Sequence, residues 1–176
     1  MEFLFAYLLC NIAEVEETDK KKIRLDRKTA LAKAEHYCAY QERAQQELRN
    51  KLYEWGQWSD DVEEIISELI QTNFLNEERF TQAYVSGKFK IKHWGKIKIR
   101  QGLKLKNVPD KMISNALKGI DYDEYLATIL MLAEKKAGMI VEKDAYKKRY
   151  KLVSYLLGRG FENDSIIEVL KANGLY

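Results

Sequence analysis

Three sets of four apolar residues share one spacing in this chain. Leu48, Leu52, Val62 and Ile66 are separated by 4, 10 and 4 residues. So are Ile99, Leu103, Ile113 and Leu117, and then Leu152, Leu156, Ile166 and Leu170; the sets are offset by 51 and 53 residues. A spacing of four puts two side chains on one helix face, so each set reads as helix, short turn, helix. An aromatic or β-branched residue stands between the halves each time: Trp58, Val108 and Phe161. Turn residues lie beside them: Gly56, the Asn107-Val108-Pro109 corner, and Gly160. A unit recurring at such a period buries its apolar face by stacking on its neighbours, which limits the fold to a tandem array.

One stretch competes with that reading. "KFKIKHWGKIKIRQGLKLK" (88–106) alternates basic and apolar residues with period two, the pattern of a strand. A longer window favours helix. Phe80, Ala83, Tyr84, Gly87 and Ile91 fall on one helical face, with Asn76 as N-cap and Glu77 and Glu78 in the first turn. Trp94-Gly95 is a poor hairpin turn. The stretch 95–106 then forms a helix with Ile99 and Leu103 inside. Ile97 and Leu105 point away from that seam; they either pack against another repeat, the favoured reading, or sit on the surface among lysines as a mixed apolar-basic contact face.

The flanking units carry helix signals of their own. "DDVEEIISELIQ" has apolar residues at helical spacing, with Asp60 and Glu63 placed like a capping box, as are Asp121 and Glu124. Gly174 closes the last helix. Each unit gains a leading helix: "ALAKAEHYCAYQE", "NEERFTQAYVSGKFKIK" and "DYDEYLATILMLAEKKA". The expected fold is all-α, an elongated array of three tandem three-helix repeats. Its divisions are a 1–28 extension, then 29–78, 79–120 and 121–176.

Charge is unevenly placed although the net charge is only +3. From Ser59 to Glu78 there are seven acids and no base; from Arg79 to Pro109 there are nine bases and no acid. Ordinary surfaces intersperse signs, so the basic segment points to a polyanion or an acidic protein groove. The candidate contact residues are Lys96, Arg100 and Lys104, a stripe at every fourth position, with Lys98 beside it. Lys88 and Lys92 form a second stripe on the preceding helix, and Lys106 follows. Lys147, Lys148 and Arg149, with Lys151, are the next candidates in the third repeat.

Other features bound the function class. With one proline, nine glycines and two cysteines, the chain suits helices and a reduced compartment, the cytoplasm. His36 and Cys38 are two apart, on different helix faces, and no metal or other cofactor is expected. "FLFAYLLC" is too short to span a bilayer. It reads as a packed segment, a start site placed too early, or a weak secretory or lipoprotein signal. There is no phosphate loop, zinc-protease helix or nucleophile elbow, so a binder rather than an enzyme is expected. The group Asp60, Asp61, Glu63 and Glu64 could hold magnesium in a nuclease, or simply favour a helix dipole.

"RAQQELRNKL" (43–52), "LNEERFTQAYV" (75–85), "GKIKIRQGL" (95–103) and "LLGRGFENDSIIEVL" (156–170) together resemble the RecX regulatory proteins of bacteria. The likeness covers roughly residues 29–174, in order. Glu77, Thr81 and Gly102 depart from the family pattern, and the first 28 residues match nothing in it. The resemblance implies three tandem three-helix repeats. It also implies a monomer that binds the RecA recombinase filament and inhibits its ATP hydrolysis and strand exchange, modulating recombination and repair. Contact with single- or double-stranded DNA is a further implication. The alternative is a helix-turn-helix-like module, "GKIKIRQGLKLKNVPDKMISNAL", binding DNA without sequence preference through lysines.

Overall fold

The structure is a computed structural model that describes residues 24–175. The apolar N-terminal stretch lies outside the described residues. The described residues form α1 (Arg27–Tyr40), α2 (Gln45–Glu54), α3 (Ser59–Gln71), α4 (Glu77–Lys90), α5 (Lys96–Lys104), α6 (Asp110–Lys118), α7 (Tyr122–Ala137), α8 (Ala145–Gly158) and α9 (Asn163–Ala172), with no strand among them. The alternating stretch 88–106 is the end of α4, a short turn and α5. Helices pack in threes: α1 with α2 and α3, α4 with α5 and α6, and α7 with α8 and α9.

Local signals fix where the leading helices begin. Asp26 accepts from the Thr29 N–H at 3.0 Å, Asn76 from Arg79 at 2.9 Å and Asp121 from Glu124 at 2.8 Å. Each satisfies a donor that the first helical turn leaves unpaired. The expected box at Asp60 does not form. α3 begins at Ser59 with Trp58 at the cap, and Asp60 and Asp61 sit inside the first turn.

All twelve seam residues are buried. The three turns between seam helices have one construction. Gly56, Asn107 and Gly160 take left-handed φ values of 81°, 59° and 88°. The next N–H then returns to the carbonyl of the second seam leucine: Gln57 to Leu52 at 3.0 Å, Val108 to Leu103 at 3.2 Å, Phe161 to Leu156 at 3.3 Å. Gln57, Val108 and Phe161 are buried. Gln57, not Trp58, is therefore the first repeat's counterpart of Val108 and Phe161. Its Nε2 donates to the Leu25 carbonyl at 2.7 Å, while Trp58 lies outside beneath the Arg24 guanidinium.

Two side-chain placements differ from the sequence reading. In α4 the buried residues are Phe80, Thr81, Val85 and Phe89. The face Ala83, Tyr84, Gly87 and Ile91 is rotated outward, with Ile91 73% exposed. Thr81 is tolerated inside because its hydroxyl donates to the Glu77 carbonyl at 2.6 Å. Ile97 and Leu105 do not pack between repeats either. Ile97 is exposed and Leu105 is 86% exposed, among lysines.

The first trio has a core of its own, whereas the second and third share one. Within the shared core Tyr125 touches Phe89 and Phe161, with ring centroids 5.7 and 5.3 Å apart. The core closes on a backbone contact. The Gly95 N–H donates to the Arg159 carbonyl at 3.0 Å and the Ile97 N–H to the Gly160 carbonyl at 3.0 Å. A Cβ on Gly95 would overlap the Gly160 carbonyl, and one on Gly160 would overlap Lys98. The Lys96 N–H donates to the Tyr125 hydroxyl at 3.1 Å, and that hydroxyl donates to the Glu162 carboxylate. Burial, with the bond to Glu162, pushes the Tyr125 phenol far above its ordinary value, so it remains a donor.

The first trio meets the second mostly through polar groups, with Ala44 at the start of α2 the one small apolar residue of that trio in the shared core. The Gln45 N–H donates to Glu77 at 2.8 Å, Asn107 to Gln46 at 3.0 Å, and Lys106 pairs with Glu47. Burial raises the Glu77 carboxyl.

Leu52→Ala, Leu103→Ala and Leu156→Ala should each cost ~2–5 kcal/mol in denaturant unfolding, and by similar amounts, because the three sites are equivalent. Gly95→Ala should cost at least ~2 kcal/mol, since the overlap is with backbone rather than a movable side chain. A near-neutral Gly95→Ala would show that the contact is not tight.

Candidate functional site

The acidic segment is occupied. Arg24 pairs with Asp61 at 2.9 Å, and Arg27 with Glu64 at 3.4 Å and Glu68 at 3.2 Å. Arg49 forks onto Glu63 at 2.7 and 3.0 Å and holds its carboxyl below the usual range. These pairs draw α1 and α2 onto α3. No cluster of three or more His, Cys, Asp or Glu suited to a metal ion occurs among the described residues. Burial pushes the Cys38 thiol up to about 11, so the thiolate a metal prefers is scarce at neutral pH.

The basic residues sort into separate places. Lys96, Arg100 and Lys104 do form one stripe. They line a groove of about 600 Å³ along α5 and α6, with Ile97, Leu117 and Lys118. Asp110, at the start of α6, sits 3.2 Å from Lys104 and 3.8 Å from Arg100. Arg100 also donates to Ser114 at 3.3 Å, and the Lys96 ammonium lies 4.5 Å from the Tyr125 ring centre. Exposed Ile97 lies within this stripe.

Lys88, Lys92 and Lys106 line a different groove, about 540 Å³, between α4 and the first trio. Its floor is the outward face of α4, Phe80, Ala83, Tyr84, Gly87 and Ile91. Lys88 lies 5.0 Å from both the Tyr84 and Trp94 rings, and Lys98 covers Trp94 at 4.9 Å. Lys98 also donates to the Gly158 carbonyl at 3.3 Å. Lys98 and Lys106 thus sit at the two junctions between trios. In the third trio Lys147, Lys148 and Arg149 lie on α8, Arg149 5.5 Å over Tyr146, while Lys151 pairs with Glu142 at 3.0 Å. The sequence reading missed Lys118 and Asp110. Both lie just beyond Pro109, where the uninterrupted basic run ends.

With this arrangement in view, the family follows. The chain matches the description "RecX, first three-helix domain" over residues 30–69, the second over 76–117 and the third over 123–170. The chain belongs to the RecX family. It is 31% identical over 145 residues to the regulatory protein RecX of Prosthecochloris aestuarii, covering 82% of this chain and 93% of that protein. It is 31% identical over 131 residues to the regulatory protein RecX of Clostridium perfringens strain 13, covering 73% of this chain but 61% of that longer protein. The fold superposes on the crystal structure of RecX from Lactobacillus salivarius with a TM-score of 0.78 at 25% identity, covering 85% of this chain and 97% of that one. RecX is a regulatory family, and its three tandem domains correspond to the three trios.

The cations differ in what holds them, which makes them separable. Lys106→Ala should destabilise the chain by ~1 kcal/mol, since its partner Glu47 is only partly solvated. Lys92→Ala, at an exposed position, should stay within ~0.5 kcal/mol. Paired thermal melts measure both.

Proposed function

We propose that this chain binds the RecA recombinase filament and restrains its ATP hydrolysis and strand exchange, as a monomer in the cytoplasm. The observation that carries the reading is membership of a regulatory family over all three domains. The stripe Lys96, Arg100 and Lys104 supports a place for the contact. It offers three cations beside exposed Ile97, an apolar centre with a charged rim. Such a surface suits an acidic protein groove better than a phosphate track, because a protein partner can cover Ile97 whereas a phosphate gains nothing from it. No helix among the described residues is long and apolar enough to cross a membrane.

The test replaces Lys96, Arg100 and Lys104 together with glutamate. The fold should persist, since these side chains are partly or fully solvated. Inhibition of RecA-driven ATP hydrolysis should weaken by about tenfold or more at low salt, chiefly through slower association. A folded variant that inhibits like the parent would move the contact away from α5. Inhibition that tracks binding to DNA without RecA, and falls steeply with salt, would favour the helix-turn-helix reading instead.

A further inference from the structure

We propose that the outer face of α8 binds single-stranded DNA, with bases stacking on Tyr146 and Tyr150 and phosphates held by Lys143 and Lys147. The two tyrosines are 69% and 68% exposed and stand four residues apart. On a helix that places the rings on one face, one turn of ~5.4 Å apart. They take no part in the seam, which Leu152 and Leu156 supply from another face of α8. Two large rings held in water on one helix face form a stacking platform, and every base has a face to offer it.

The surroundings fit a polyanion with flat bases. Residues 142–151 contain five cations and two acids. Glu142 is paired with Lys151 at 3.0 Å, and Asp144 caps the helix by accepting from the Lys147 N–H at 3.0 Å. Both acids are thereby committed beside the run of lysines. Arg149 lies over Tyr146, a planar cation against a ring, which is a further surface for a base. A recess of about 190 Å³ opens between the tyrosines and α9, walled by Val153 and Ile167, with the Asn163 amide at its edge. That combination gives apolar walls for a base and one group able to bond its edge.

A duplex does not fit as well, because its bases are already stacked on each other and leave the rings idle. An acidic protein would use the lysines but would not need the rings. Only the choice of DNA over RNA rests on the proposed function; the stacking geometry does not.

The experiment uses the full chain without RecA and a fluorescein-labelled oligothymidine of ~15 nucleotides, read by anisotropy at ~0.15 M salt. Tyr146→Ala/Tyr150→Ala should weaken binding by about tenfold or more, while Tyr146→Phe/Tyr150→Phe keeps it within about twofold, since the ring is what stacks. Lys147→Glu should weaken binding and flatten its salt dependence. The α5 triple variant should bind like the parent, so failure here is distinguishable from failure of the RecA reading. Exposed positions in a helix accept alanine, and unchanged circular dichroism melts check it. The proposal is overturned if the double alanine variant binds like the parent, or if the phenylalanine variant fails as badly. Equal affinity for a duplex of the same length, or tighter binding of oligouridine, would overturn it too.

Discussion

The backbone contact between Gly95 and Gly160 decides how the second and third trios are joined. Two carbonyls, of Arg159 and Gly160, accept the N–H groups of Gly95 and Ile97 at 3.0 Å each. The start of α5 has no side-chain cap, because Gly95 stands at the cap position. The turn between α8 and α9 therefore acts as the cap of α5, supplying acceptors a serine or aspartate would otherwise give. Tyr125 completes the arrangement, bonding Lys96 on one side and Glu162 on the other. The first trio lacks such a contact. It meets the second through Glu77, Gln46, the Arg79–Glu42 and Lys106–Glu47 pairs and the small side chain of Ala44. The two junctions should accordingly differ in stiffness: one is a shared apolar core, the other largely polar.

That asymmetry explains where the cations lie. With Ile99 and Leu103 committed to the core, a nine-residue helix has one other broad face, and Lys96, Arg100 and Lys104 occupy it. Lys98 and Lys106 fall between these faces and are drawn to the neighbouring trios. The nine-base run is thus not one surface but three uses of lysine: an open stripe, contacts at the junctions, and a rim above the α4 groove.

Much of this was legible in the sequence because the repeat is strict where packing is strict. The 4, 10, 4 spacing located six of the helices and all twelve seam positions. It also outweighed the period-two alternation of 88–106, which arises from lysines on a short helix whose core needs only two residues. The leading helices were harder. Ala30, Ala34 and Cys38, Thr81, Val85 and Phe89, and Tyr125, Ile129 and Ala133 are all buried, each triplet spaced by four. The offset of 51 carries the first triplet onto the second, yet Thr81 is polar and Ala30 small, so hydrophobicity alone pointed to the neighbouring face. Trp58 misled for the same reason: the buried place belongs to Gln57, which is admitted because its amide finds the Leu25 carbonyl. The grooves were not legible, since they depend on how trios sit against each other.

The position of Asp110 sets a condition on the partner proposed for the α5 stripe. Lys104 and Arg100 both lean toward this carboxylate, so an incoming acid must compete with it. At exposed sites each such pair contributes no more than about 1 kcal/mol, so the competition lowers affinity without closing the surface. It does discriminate. A single diffuse negative charge gains little by displacing Asp110, whereas several fixed acids, arriving with an apolar group for Ile97, gain on all three cations at once. The sequence places one acid just past the end of a long basic run, and the fold returns it to the stripe, beside Lys104 and Arg100.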